Sequence, residues 1–159
     1  MKNKLAIICS GGGMTCAYNG GVVYALEKKY NLFTSSLLQP IIFGGSGSSG
    51  NVAYAVAGSA KSIRRVWVDL LPTRKFLNLF RFWRMMNIDY LIDTVFKKQE
   101  PLPMDKAYAS SINLLIATTN SKTGKVKFFS NHTPKIDLFE VLRASKALPV
   151  FYNKKVCIK

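Results

Sequence analysis

Residues 40 to 58 pass from a short apolar run, Pro40-Ile-Ile-Phe43, through a glycine and serine knot, Gly44-Gly-Ser-Gly-Ser-Ser-Gly50, into an alanine-rich run, Asn51-Val-Ala-Tyr-Ala-Val-Ala57. A short apolar run bounded by glycines reads as a buried strand, serial glycines as a sharp turn, and alanines as helix. The stretch therefore predicts strand, turn, helix. A buried strand ending in such a turn can present one serine hydroxyl at its carboxyl end, where the next helix aims its unpaired amides.

Three serines compete for that place, because every reading of Gly-x-Ser-x-Gly here has one defect. Ser46 follows Gly44 but meets Ser48 two places on; Ser49 follows Gly47 but meets Asn51; Ser48 precedes Gly50 but has Ser46 two places before it. Ser48 is the preferred nucleophile. The glycine two places after it falls where the turn enters the helix and crowding is worst, and serine is the next smallest polar residue at the other position. The plain alternative is a glycine-rich strand-to-helix loop with solvated serines.

Lys4 to Cys9 is nearly all apolar, as expected of a parallel strand, and Ser10-Gly-Gly-Gly13 follows it. Cys16 to Tyr30 then carries Val22, Val23, Leu26 and Tyr30 at helical spacing, so residues 4 to 45 predict a strand–helix–strand unit. Two nucleotide readings of the glycine triplet fail. Gly11-Gly-Gly-Met-Thr-Cys16 lacks the third glycine of Gly-x-Gly-x-x-Gly, and no Gly-Lys-Ser/Thr follows either glycine cluster. One reading uses both clusters: the amides of Gly11, Gly12 and Gly13 as an oxyanion hole facing the serine of the adjacent strand.

The 159 residues suit one domain, and 48% of them are hydrophobic, ample for a core. No apolar run nears the roughly 18 residues of a membrane span, and Leu5 to Cys9 is too short for a signal peptide, which places the chain in the cytoplasm or peripherally on a membrane. Cys9, Cys16 and Cys157 lack metal spacing and predict reduced thiols, without disulfide, metal or cofactor. A formal charge of +15 calls for an acidic partner, either anionic lipid or nucleic acid.

Ser10-Gly-Gly-Gly-Met-Thr-Cys-Ala-Tyr-Asn-Gly-Gly-Val22, the turn around Ser48, and Arg143-Ala-Ser-Lys-Ala-Leu-Pro149 together resemble the patatin-like phospholipases in order and spacing, nearly end to end. The resemblance implies a three-layer α/β/α sandwich with a mostly parallel central sheet. It also implies a lipid acyl hydrolase working by a serine and aspartate dyad, with Ser48 as nucleophile, Gly11 to Gly13 as oxyanion loop, and Ala144 to Pro149 packed behind the site. The chain departs from the family pattern at Thr15, Cys16 and Ser46, and it holds no Asp-Gly pair, the setting of the family's catalytic aspartate. That departure implies the front part of a longer protein. A basic lipid- or anion-binding module that kept the fold without the chemistry is the alternative.

Residues 59 to 98 interleave basic and aromatic side chains. Phe76, Leu79, Phe80 and Trp83 keep helical spacing beside Arg74, Arg81 and Arg84, which predicts a helical lid or rim on a lipid surface; stacking of single-stranded nucleic acid is the rival use. Ile88, Leu91, Ile92, Val95 and Phe96 read as a core-facing stripe. Ile112 to Thr118 and Val126 to Phe129 predict a hairpin, and Asp137 with Glu140 a capping box opening the last helix. His132 reads as a solvated loop residue, and Asp69, Asp89, Asp93, Asp105 and Asp137 as solvated or capping.

Overall fold

A computed structural model describes residues 5–33, 40–78, 80, 85–149, 151–152 and 154–158. Strands β1 (Ala6–Cys9), β2 (Ile41–Gly45), β3 (Asn113–Thr119) and β4 (Val126–Ser130) form one open sheet in that spatial order. The first three run parallel and β4 returns antiparallel beside β3. The class is α/β, a mostly parallel sheet flanked by helices as the sequence predicts, and it is consistent with a three-layer α/β/α fold. One difference matters for the site. β2 continues two residues past Phe43, to Gly45, because the glycines keep pairing: Gly44 opposes Cys9 and Gly45 opposes Ala117.

Helix α1 (Cys16–Tyr30) follows a single tight turn at Gly13–Thr15, and α2 (Gly47–Val56) follows β2. Helix α2 packs on β2 and β3. A Cβ on Gly44 would stand 2.4 Å from Val52 Cγ2 and 2.9 Å from Ser49 Cα, so only glycine lets the helix lie this close to the strand. Next come α3 (Ser62–Arg65), which widens into an i→i+5 coil over Val66–Leu70, a second wide helix over Tyr90–Gln99, α4 (Met104–Ala109) and α5 (Leu138–Lys146). Among the described residues no helix is long and apolar enough to cross a membrane.

Ile42, Leu114 and Ile116 on the helix-covered face of the sheet are fully buried, and α5 packs there on β3. The strand pairing puts Ile8, Ile41, Phe43, Leu115, Val126 and Phe128 on the other face. There Ile8 is 74% exposed, Val126 59% and Phe128 57%, with Phe43 and Phe128 edge to face at 5.8 Å.

The core stripe of the middle segment is as expected: Ile88, Leu91, Ile92, Val95 and Phe96 are all buried. The lid helix is not. Asn78 N–H donates to Met85 O and Asn87 N–H to Phe76 O, making a narrow antiparallel loop with Phe76 buried and Phe80 exposed near its tip. Asn78 accepts from the Phe80 amide, a local bond that competes with helix formation, whereas Asn87 accepts from the Tyr90 amide and so caps the start of the helix that follows. Leu79 and the 81–84 part of that expectation lie outside the described residues.

Asp137 caps α5, accepting from the Phe139 and Glu140 amides. Glu140 pairs with Arg143 rather than closing the capping box. Asp89 and Asp93, read from the sequence as solvated or capping, grip Arg143 at 2.6 and 2.9 Å and so bolt the 90–99 helix to α5. Tyr152 and Lys154 also donate to Asp89.

Candidate functional site

The strand carries Gly45 to the sheet edge, so the turn residue is Ser46. Its backbone sits at φ 47°, ψ −122°, a conformation that costs a non-glycine residue about 1–3 kcal/mol, and the residue is half-buried. Gly45 before it and Gly47 after it give that turn room: a Cβ on Gly47 would stand 2.7 Å from Gly13 O and 2.9 Å from Cys16 Sγ. The Ser46 amide donates to Ser145 Oγ at 3.0 Å, and its hydroxyl is unbonded among the described residues.

Ser48, the serine preferred from the sequence, is turned inward. It is 0% exposed, donates its hydroxyl to Ser10 O at 2.7 Å and accepts from Asn19 Nδ2 at 2.9 Å. Ser48 therefore stands where the second glycine of Gly-x-Ser-x-Gly would be, counted from Ser46, and Asn19 and Ser10 satisfy the extra hydroxyl. Crowding of strand against helix is worst at Gly44 and not, as the sequence suggests, at Gly50, where a Cβ would meet the Phe96 ring instead. Ser49 is also buried, donating to Ser46 O at 2.6 Å.

The glycine loop comes to the same spot. A Cβ on Gly11 would lie 3.1 Å from Ser46 Cβ, and Gly13 adopts φ 58°. The Gly11, Gly12 and Gly13 amides donate in none of the turn, loop or cap hydrogen bonds of the described residues, while Thr15 Oγ1 and N–H both donate to Gly12 O and tie the loop back. Unpaired backbone donors beside a serine can hold a developing oxyanion.

Ser46 lines a largely apolar cavity, with Tyr54, Trp67, Phe76, Met86 and Phe96 among its other walls together with Gly13, Gly47 and Lys146. Its free space is about 30 Å³, enough for a water molecule or two and too little for an acyl chain. Trp67 is anchored by its Nε1–H, which donates to Asn51 Oδ1 at 2.6 Å, and Asn51 in turn donates to Cys16 O.

No family model matches the chain. It is similar to the uncharacterized protein YjjU of Escherichia coli (strain K12), 24% identical over 163 residues that cover 98% of this chain and 43% of that protein. The chain thus spans less than half the length of the curated relative it matches.

His132 is far from this site in the topology. The β3–β4 register places it at the amino-terminal end of β3, opposite the strand ends that carry Ser46, and its Nε2 lies 2.9 Å from Ser110 O. Cys9 and Cys16 are buried and Cys157 exposed, all three as free thiols. Lys146 was not marked out by the sequence. It is 5% exposed, its Nζ donates to Ser49 Oγ at 2.5 Å and to Leu142 O at 3.4 Å, and burial pulls its pKa down to about 7. Its one signal in the sequence was a lysine one helical turn after Leu142 on the apolar side of α5.

Proposed function

We propose that this chain is the nucleophile-bearing part of a patatin-like lipid acyl hydrolase. Ser46, rather than Ser48, attacks the acyl carbonyl, and the Gly11 to Gly13 amides receive the oxyanion. The observation that carries the reading is the strained Ser46 turn meeting the unpaired glycine loop at the carboxyl ends of β1 and β2, the end of a parallel sheet where ligands are bound. The apolar cavity supports an acyl substrate, whose entry requires the roof of Trp67, Phe76 and Met86 to move. Exposed Val68 and Phe80, with exposed Lys61, Arg64, Arg74 and Lys75, support docking of that roof on an anionic lipid surface.

A fluorophosphonate probe tests the reading. The chain takes up label at Ser46, Ser46→Ala takes up none, and Ser48→Ala still labels. Label on Ser48, or none on any serine, sinks the proposal; the latter favours the non-catalytic lipid- or anion-binding module.

A further inference from the structure

The glycine loop brackets the serine turn. Gly11 N lies 3.5 Å from where a Cβ on Gly45 would stand, and Gly13 O 2.7 Å from where one on Gly47 would, so the loop meets the turn on both sides of Ser46. Two carbonyls of the loop are held from behind. Ser10 O accepts from Ser48 Oγ at 2.7 Å, from Asn19 Nδ2 at 3.1 Å and from Cys16 Sγ at 3.7 Å. Gly12 O accepts from Thr15 Oγ1 at 2.9 Å and from the Thr15 amide at 3.2 Å.

A carbonyl shares one rigid, planar trans peptide unit with the N–H of the next residue, which points the opposite way. Holding Ser10 O therefore aims the Gly11 N–H, and holding Gly12 O aims the Gly13 N–H. Hydrogen bonds accepted by a peptide unit also polarise it and strengthen its N–H as a donor. The two amides so treated are those beside Gly45 and Gly47, and neither has a partner among the described residues. The Gly12 N–H shares its unit with Gly11 O, which accepts no hydrogen bond among them. Thr15 and Cys16 depart from the patatin-like pattern, and so does Ser48 counted from Ser46, so these ties are particular to this chain.

We infer that Ser48, Asn19 and Thr15 are positioning residues that aim the oxyanion donors, and that the donors are the Gly11 and Gly13 amides without Gly12. The inference rests on the reading of Ser46 as nucleophile. Ser48 and Asn19 act through the Ser10–Gly11 peptide unit, and Thr15 through the Gly12–Gly13 unit.

The test is fluorophosphonate labelling followed over a range of probe concentrations. The Ser46 Oγ–phosphorus bond forms, fluoride leaves, the hydroxyl proton passes to water, and the phosphonyl oxygen takes the oxyanion's place. On labelling, a proton–nitrogen correlation spectrum shows the Gly11 and Gly13 amide protons moving downfield and that of Gly12 staying. Ser48→Ala combined with Asn19→Ala slows labelling at saturating probe by about 10-fold or more, approaching the roughly 10²- to 10³-fold cost of losing a donor outright, and leaves the half-saturating concentration unchanged. It weakens the Gly11 shift alone, and each single variant, keeping one tie, falls between. Thr15→Val, which leaves the Thr15 amide on Gly12 O, slows labelling less and weakens the Gly13 shift alone; Thr15→Ser keeps the parent rate. Parent rates in both the folded double variant and Thr15→Val, or a labelled chain in which Gly12 moves in place of Gly11 and Gly13, overturn this inference and leave the hydrolase reading standing. No label on Ser46 in the unaltered chain overturns both.

Discussion

Two serines two residues apart carry opposite loads. Ser46 holds a backbone angle that glycine adopts freely, so its retention costs stability, whereas Ser48 satisfies two partners inside the protein. Ser46→Gly should therefore raise folding stability by roughly 1 kcal/mol, the lower end of the cost of such strain. Ser48→Ala removes two buried hydrogen bonds, although Asn19 Nδ2 still donates to Ser10 O at 3.1 Å, and should lower stability by about 1 kcal/mol. Urea denaturation of both variants measures the pair; a Ser46→Gly chain less stable than the parent would show that the turn is not strained. The turn itself was legible in the glycine and serine knot. Which serine it displays was not, because that depends on how far β2 keeps pairing with β1 and β3, a contact between distant segments.

Between elements, the Arg143 cluster joins the 90–99 helix to the helix that ends in Ser145 and Lys146. Burial disfavours the Asp89 charge, yet hydrogen bonds from Lys154 and Tyr152 and the Arg143 charge outweigh it and hold the carboxyl below its usual range. Asp93 is held low in the same sense by Lys97 and Arg143, which outweigh its burial. For Arg143 burial again opposes the charge, and the carboxylates of Asp93 and Glu140 raise its pKa despite it. A carboxyl lowered on folding contributes stability that is complete above its unfolded value, about pH 4, and lost as pH falls through the lower folded value. Asp89→Asn should accordingly cost about 1–3 kcal/mol at pH 7, and that deficit should shrink as pH drops below about 4. Denaturation midpoints across that range check it, and a deficit that stays constant to pH 2 would rule out an ionic role. The elements themselves were legible where apolar spacing was strong, as in the 88–96 stripe and the hairpin of β3 and β4. At the described end of the stretch expected as a lid helix, Phe76 and Asn78 pair across to Asn87 and Met85 instead, and the roles of Asp89 and Asp93 were hidden because the Arg143 they grip is 50 or more residues away.

At the scale of the molecule, the sheet has one face under helices and one rich in exposed apolar side chains. The α/β class was legible from strands read as apolar on both sides, since Lys4 to Cys9 and Pro40 to Phe43 show no alternation of polar residues. That lack of alternation explains the exposed face: Ile8, Ile41 and Phe43 are as apolar as the residues they alternate with. Ile8 on β1 and Val126 and Phe128 on β4, at the opposite edge, are each more than half exposed, and apolar side chains gathered on one sheet face favour adhesion to an apolar surface. The 159-residue chain should self-associate through that face despite a charge of +15 that opposes contact between copies. Because β4 pairs, among the described residues, with β3 alone, side chains there can change without disturbing the covered face. Val126→Lys with Phe128→Glu should shift sedimentation toward the monomer and reduce binding of an apolar dye, while leaving Ser46 labelling in place. If the double variant sediments and binds dye as the parent does, association runs through another surface, and the exposed middle segment around Val68 and Phe80 becomes the face to change next.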